Sequence, residues 1–325
     1  MSKQIAVDAV GRTRNSGSNV VMFDLVAQKS VLCSSQSVMT LFDANAAFRW
    51  AIRHETIYRY STAVVFAPHV LRLSPRPEGV RTLARQLQIT PTPIQLTDFS
   101  DAFGNTCTRV TFGAVASDEL RIESRISVQT LARSFHDSGP GLPALPWSSP
   151  GFDSLSMFRQ ADGSAEVAAL AQKLALDVGG APLAFFDRLC TTLYATLDRQ
   201  IRVEGAAQTP AQTLATGRGA CRDLTVLYLA ICRSMGVAGR FVSGYQGQEA
   251  SPDGKRHLHA WPEVFVPELG WLGWDPTHGV AAGPGHVALC AAPDQAATMP
   301  IDGGFYFDGP SVTSTLSYTI ELDAI

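Results

Sequence analysis

A thirteen-residue segment, SGPGLPALPWSSP from Ser138 to Pro150, divides the chain into two stretches with different hydrophobic periods. It holds four prolines and two glycines. Proline lacks the ladder N–H and glycine loses the most conformational freedom on ordering, so neither a helix nor a central strand is expected to cross it. The boundary between two folding units is placed there, as a linker over 138–152. A length of 325 residues fits two units of ordinary size.

Ahead of the linker the apolar period is two. Trp50, Ile52, His54, Thr56, Tyr58 and Tyr60 alternate with Arg49, Arg53, Glu55 and Arg59. Leu120, Ile122, Ser124, Ile126 and Val128 alternate with Arg121, Glu123, Arg125 and Gln129. Both patterns predict half-buried antiparallel strands. Leu83–Ile89 and Thr106–Phe112 add two more, and Asp101-Ala-Phe-Gly-Asn105 supplies the turn residues between strands. Residues 48–137 therefore read as an antiparallel β-sandwich or barrel-like domain. Residues 1–47 show no sustained period and are expected to be a poorly ordered extension.

Behind the linker, over 153–325, the period becomes helical. Val167, Leu170, Ala171 and Leu174 fit one helix face, and Phe186, Leu189, Cys190, Leu193 and Leu197 a second, opened by Pro182. Leu224, Leu227, Tyr228, Ile231 and Met235 mark a third, which Gly236 ends. Period two then returns in 240–245, 257–266 and 271–274. Helices first and an antiparallel sheet after make the fold class α+β.

Composition excludes several classes. Apolar residues form 46% and charged residues 17% of the chain, enough for a core and too few charges for disorder. A formal charge of −3 disfavours a partner with a phosphate backbone, so no nucleic acid is expected. No apolar run reaches the ~18 residues of a membrane span. The six cysteines form no C-x-x-C pair, which argues against a disulfide scaffold or a zinc ribbon. With no signal-peptide pattern, the expected location is the cytoplasm.

The third helix begins Gly217-Arg-Gly-Ala-Cys221-Arg222-Asp223. Two glycines allow a tight turn, and the cysteine falls in the first helical turn. Unpaired N–H groups and the helix dipole favour a thiolate there. The same N–H groups can receive an oxyanion. A lone cysteine is more often core filler, and only this placement argues for chemistry. In His257-Leu-His259-Ala-Trp261, the two histidines and Trp261 share one strand face. A histidine there suits a cysteine nucleophile as base. The bland alternative is a hydrogen-bonded structural histidine, and H-x-H can also chelate, though no further ligand cluster has convincing spacing. Asp275, in Gly-Trp-Leu-Gly-Trp-Asp275-Pro276, reads by itself as a turn residue. Beside a strand bearing His259 it becomes the acid that orients the imidazole.

The order Cys221, His259, Asp275 carries a resemblance. GRGACRDLTVLYLAICRSMGVAGRFVSGY and HAWPEVFVPELGWLGWDPTHG resemble the bacterial transglutaminase-like family. RHETIYRYSTAVVFAPHVLRLSPRP and DAFGNTCTRVTF resemble the β-rich region that precedes that core. The resemblance spans about 48–320. It implies a papain-like core with the nucleophile on a helix and the histidine and aspartate on adjacent strands. It also implies cysteine-dependent acyl transfer on protein or peptide amides, by hydrolysis or transamidation. No cofactor is expected, and with no calcium-binding loop visible in the sequence no metal is expected either. Two places depart from the family pattern, Arg202-Val203-Glu204-Gly205 and the neighbourhood of Cys290-Ala291-Ala292, and both bear on substrate preference. A non-catalytic peptide-binding module is the competing class.

Trp261, Arg222 and Tyr245 are candidate substrate contacts. For the tryptophans and Tyr245, sheet packing is the favoured bland reading. His278 and His286 follow Asp275 and are further candidates for the cleft. His54, His69 and His136 read as surface or strand residues. Cys190 and Cys232 read as core, whereas Cys33, Cys107 and Cys290 give no signal.

Overall fold

The computed structural model describes residues 48–131, 141–148, 153–202, 204–247, 251, 253–309 and 311–325. The expected extension over 1–47 lies outside the described residues, as do both ends of the linker and His136.

Strands β1 (Arg49–Phe66), β2 (His69–Leu71), β3 (Val80–Thr90), β4 (Gln95–Ser100), β5 (Thr106–Thr111) and β6 (Ala116–Thr130) come first. The helical part contains α1 (Ala165–Asp177), α2 (Pro182–Thr196), β7 (Asp198–Arg199), α3 (Pro210–Thr216), β8 (Arg218–Gly219) and α4 (Cys221–Ser234). Then follow β9 (Gly239–Gln246), β10 (His259–Val266), β11 (Gly270–Asp275), β12 (Val280–Ala281) and β13 (His286–Ala292). Three last strands, β14 (Ile301–Asp302), β15 (Phe305–Tyr306) and β16 (Ser314–Ala324), close the chain. The α+β reading holds: β-rich sheets precede a mixed helix and sheet core. Among the described residues no helix is long and apolar enough to cross a membrane.

The alternation in β1 and β6 has the expected cause. Trp50, Ile52, His54 and Thr56 point into one core with Leu120, Ile122, Ser124, Ile126 and Val128 across the ladder. Charged neighbours on the other face pair instead, as Arg53 does with Glu123 at 2.8 Å. One sheet runs β15-β1-β6-β3, with β16 also on β1. A second runs β14-β2-β5-β4. Their apolar faces share a single core, through Leu71 and Val110 on one side and Ile52 and Ile122 on the other.

The chain departs from the expected division at its end. Strand β16 runs antiparallel to β1 from Trp50↔Ala324 to Tyr60↔Ser314, and β14 pairs with β2. Strands β14, β15 and β16 therefore belong to the first two sheets and not to the core that begins at 153. The reason is the free edge of β1, which would otherwise expose a long row of unpaired backbone groups. The linker differs as well. Leu145 is buried, its N–H bonds Gly180 O at 2.9 Å, and Trp147 N–H bonds Met235 O at 2.9 Å. Residues 141–148 are thus packed against the helices. Gly236 is required there, because a Cβ would lie 2.0 Å from Trp147 O.

The third sheet, β12-β11-β10-β9-β13, is a middle layer. One face packs on α1, α2 and α4 through Val264, Val266, Leu272 and Trp274. The other meets the β-rich core through Tyr245, Val287, Leu289 and Cys290. All eight residues of β9 are consequently buried, as a strand covered on both faces must be. Two polar contacts tie the layers. Asn105 donates to Ala291 O at 3.0 Å and accepts from Ala291 N–H at 2.8 Å, so the turn predicted over 101–105 ends as a clasp on β13. His54 Nδ1 lies 2.9 Å from Tyr245 Oη, and Thr56 Oγ1 lies 3.2 Å from His54 Nε2.

His54 and His69, expected as surface or strand residues, are both buried in strands. Burial holds His54 neutral, with its pKa pushed down to about 4 from 6.5. The unfolded chain then binds a proton that the folded chain refuses. The resulting stability is complete above pH 6.5 and is lost as pH falls through about 4. That gap corresponds to about 3 kcal/mol. Urea unfolding at pH 7 and pH 4 should show His54→Gln, which retains a partner for Tyr245, losing less stability over that interval than the parent chain.

Candidate active site

The nucleophile's position begins with two glycines. Gly217 takes φ 64° and ends α3 with its N–H on Thr213 O at 3.1 Å. Gly219 packs against the start of α4, where a Cβ would sit 2.8 Å from Asp223 Cβ. Strand β8, which ends at Gly219, pairs in parallel with β7 and holds the turn. Cys221 is the first residue of α4 and is partly exposed. Its N–H lies in the turn that has no intrahelical acceptor.

Asp223 does more than favour the helix dipole. It has no exposed surface. One oxygen accepts from Ala220 N–H at 2.7 Å, and the other from Gln208 N–H at 2.7 Å and Arg202 Nη2 at 2.6 Å. Arg222, a candidate substrate contact from sequence, donates instead to the carbonyls of Arg202 and Glu204. Arg222 and Asp223 thus hold Arg202, Glu204 and Gln208 of one loop beside Cys221. This loop includes one of the places where the chain departs from the family pattern.

His259 opens β10 and Asp275 closes β11, on neighbouring strands of the middle sheet. His259 Nε2 lies 2.8 Å from Asp275 Oδ2. Its ring also interacts electrostatically with the Cys221 thiol, and Nδ1 is the nitrogen left to face it. The structure therefore brings Cys221, His259 and Asp275 into one chain of contacts. The turn reading of Asp275 also holds, since Oδ1 accepts from Thr277 N–H at 2.9 Å. Both roles belong to one fully buried carboxylate.

His278 Nδ1 lies 2.7 Å and His286 Nε2 3.0 Å from the same Asp275 Oδ2. Neither histidine could be assigned this contact from sequence, although both follow Asp275 closely. His257 goes elsewhere. Its Nδ1 meets Tyr318 Oη at 2.6 Å and its Nε2 meets Asp253 at 2.9 Å, so it does not join His259 in a chelate.

Two other sequence candidates are corrected. Tyr245 is 1% exposed, with its hydroxyl on His54 between the layers, so it offers no cleft wall. Trp261 is also 1% exposed and stacks at 6.1 Å behind His259, where it supports the ring without facing a substrate. The bland packing reading wins for both, because strand faces in a middle layer are covered on each side. Cys107, Cys190, Cys232 and Cys290 are buried, and Cys33 lies outside the described residues.

The charges are coupled. Burial pushes the Cys221 thiol up, but the hydrogen bond and positive charge of His259 outweigh it and leave the thiol below its ordinary value. Burial presses His259 downward, yet the Asp275 carboxylate and the Cys221 pair raise it to about 10. Burial opposes ionisation of Asp275 too, and the charge of His259 overcomes it and holds the carboxyl well below the usual range. The arrangement is a thiolate–imidazolium pair backed by a carboxylate, suited to attack on an acyl carbon and to proton delivery to the leaving group.

Residues 50–129 match the bacterial transglutaminase-like N-terminal region, and residues 169–276 match the transglutaminase-like superfamily core. The chain joins a bacterial transglutaminase-like N-terminal region to a transglutaminase core. The core match encloses Cys221, His259 and Asp275. An uncharacterized protein of Mycobacterium tuberculosis is 25% identical over 287 residues, covering 79% of this chain and 88% of the relative. A protein-glutamine gamma-glutamyltransferase of Pseudomonas aeruginosa is 40% identical over 72 residues, 20% of this chain and 11% of that one. A solved structure from Cytophaga hutchinsonii, described as a candidate cysteine protease, shares the fold at TM-score 0.63. It is 17% identical and covers 86% of this chain and 91% of that one.

Asp275→Asn keeps the shape of the transglutaminase core and removes the charge. In that variant the His259 imidazole, followed by NMR titration, should deprotonate far below the value of about 10 expected in the parent. An unmoved His259 titration would show that Asp275 does not set the charge of the ring.

Proposed function

We propose that the protein is a cysteine-dependent acyltransferase or hydrolase acting on protein or peptide amides through a thioester on Cys221. The observation that carries this reading is the continuous contact from the Cys221 thiol through His259 to Asp275, at the N-terminus of α4. Its supports are the transglutaminase core match and the partial identity to a protein-glutamine gamma-glutamyltransferase.

Cys221 thiolate attacks the amide carbon and forms a C–S bond. The carbonyl oxygen gains the negative charge and faces the Cys221 N–H at the helix start. His259 Nδ1–H protonates the departing amine or ammonia as the C–N bond breaks. An amine or water then attacks the thioester and gives its proton to Nδ1. The C–S bond breaks and thiolate is restored. Asp275 keeps the ring oriented and stabilises its positive charge throughout. An amine acceptor makes the reaction transamidation, and water makes it hydrolysis.

The pair needs an ionised thiol and a protonated imidazole. Its acid limit is the lowered thiol value and its alkaline limit is the loss of the His259 proton at about 10. Iodoacetamide labelling across pH, read by mass spectrometry, should show Cys221 reacting well below the ordinary thiol value of about 8.5. In His259→Ala the largest lowering influences are gone while burial stays, and the labelling midpoint should move upward. Cys221 that labels no faster than the buried cysteines, in folded protein at pH 6, would favour a binding module without catalysis.

A further inference from the structure

Three imidazole nitrogens stand within 3.0 Å of one oxygen, Asp275 Oδ2. A carboxylate oxygen offers only two lone pairs for in-plane donors. The tautomers can be assigned. His286 Nδ1 accepts from Gly283 N–H at 3.2 Å, so a neutral His286 carries its proton on Nε2 and donates it to Asp275. His259 Nε2–H takes the second lone pair, since its Nδ1 serves Cys221. His278 Nδ1 is then surplus. As N–H it is a third donor to two lone pairs, and as a bare nitrogen it opposes a carboxylate with a lone pair. The N–H state gives an ordinary charge-assisted length of 2.7 Å but crowds three donors onto one oxygen.

A cation resolves the conflict. We infer that His259 Nε2, His278 Nδ1 and Asp275 Oδ2 form a zinc site that switches the catalytic histidine off. The three donor atoms lie within 4.8 Å of one another. Two imidazoles and a carboxylate match the donor preference of Zn²⁺, and three protein ligands leave a fourth position for water. Oxygen-seeking Ca²⁺ and Mg²⁺ are poorly served by two nitrogens. Bonds of about 2.0–2.2 Å in tetrahedral geometry separate neighbouring ligand atoms by roughly 3.3 Å. The contacts of 2.7 and 2.8 Å must therefore open by about half an ångström, and the two nitrogens, within 4.8 Å of each other, must settle at the same spacing when the ion binds. His286 keeps its hydrogen bond to the carboxylate and orients it, the outer support that ligating groups usually have. The His278 side chain is 23% exposed and gives the ion a way in.

Metal on Nε2 changes what His259 can do. Starting from imidazolium, the ring releases the Nε2 proton to solvent and keeps the one on Nδ1. Nδ1–H then faces Cys221 as a fixed donor with no lone pair. A neutral metal-bound ring holds that proton far more tightly than imidazolium does, so it cannot protonate the departing amine and the thioester does not form. The metal acts from behind the histidine and needs no bond to the thiol.

The test measures Zn²⁺ binding to full-length Cys221→Ser protein by competition with a chromophoric zinc indicator, with circular dichroism to verify folding. Binding does not depend on acyl transfer, so this result and the proposed reaction fail separately. One ion per chain is expected, with at least about tenfold weaker affinity after His278→Gln is added. His257→Gln in its place should leave affinity unchanged. Co²⁺ should give a tetrahedral visible spectrum with no thiolate charge-transfer band in the parent chain. Absence of saturable binding, retention of full affinity in folded His278→Gln, or loss of binding on Cys221→Ser alone would each overturn the site.

Discussion

A carboxylate without exposed surface is costly unless its oxygens are met by donors and its charge by an opposite one. Asp275 is met on both oxygens, by the N–H of Thr277 on one and by histidine rings on the other. Its charge raises His259, and His259 in turn lowers Cys221. The ionisation of a thiol at the head of α4 is therefore tied to a carboxylate at the end of β11, through His259 on β10. The turn that follows Asp275 is part of the same device, because it closes the strand and supplies a backbone donor.

That carboxylate can be buried because the sheet carrying it is a middle layer. Helices cover one face and the β-rich sheets the other. The helices place Cys221 at the sheet's end, whereas the β-rich layer contributes His54 and Asn105 as fixed polar contacts. Strand β16 extends this role, since Tyr318, which lies opposite Thr56 on β1, holds His257 just before His259. The β-rich layer thus braces the strand that bears His259.

Much of this was legible locally. Alternation in 49–60 and 120–129 specified half-buried strands, and the stripe from Leu224 to Met235 specified a helix with Cys221 at its head. The Gly-x-Gly-x-Cys turn reflected close backbone packing, as the crowding at Gly219 shows. Other features were hidden. Tyr245 and Trp261 have the composition of cleft walls, and only the second covering layer makes them core. His54 and His69 alternate like strand residues, but burial depends on which face the neighbouring sheet occupies. Arg222 next to the nucleophile resembles a substrate contact until the 202–204 carbonyls are brought against it.

By itself the sequence determined the local elements, the reactive residue types and their order, because propensity, periodicity and capping act over a few residues. Tertiary structure decided what no local rule contains. It sent β14, β15 and β16 back to the first two sheets, since an unpaired edge is satisfied by whichever segment can reach it. It also gathered His259, His278 and His286 around one oxygen. Spacing along the chain sets what is available to meet a buried charge, but only the packing of separate strands sets what does.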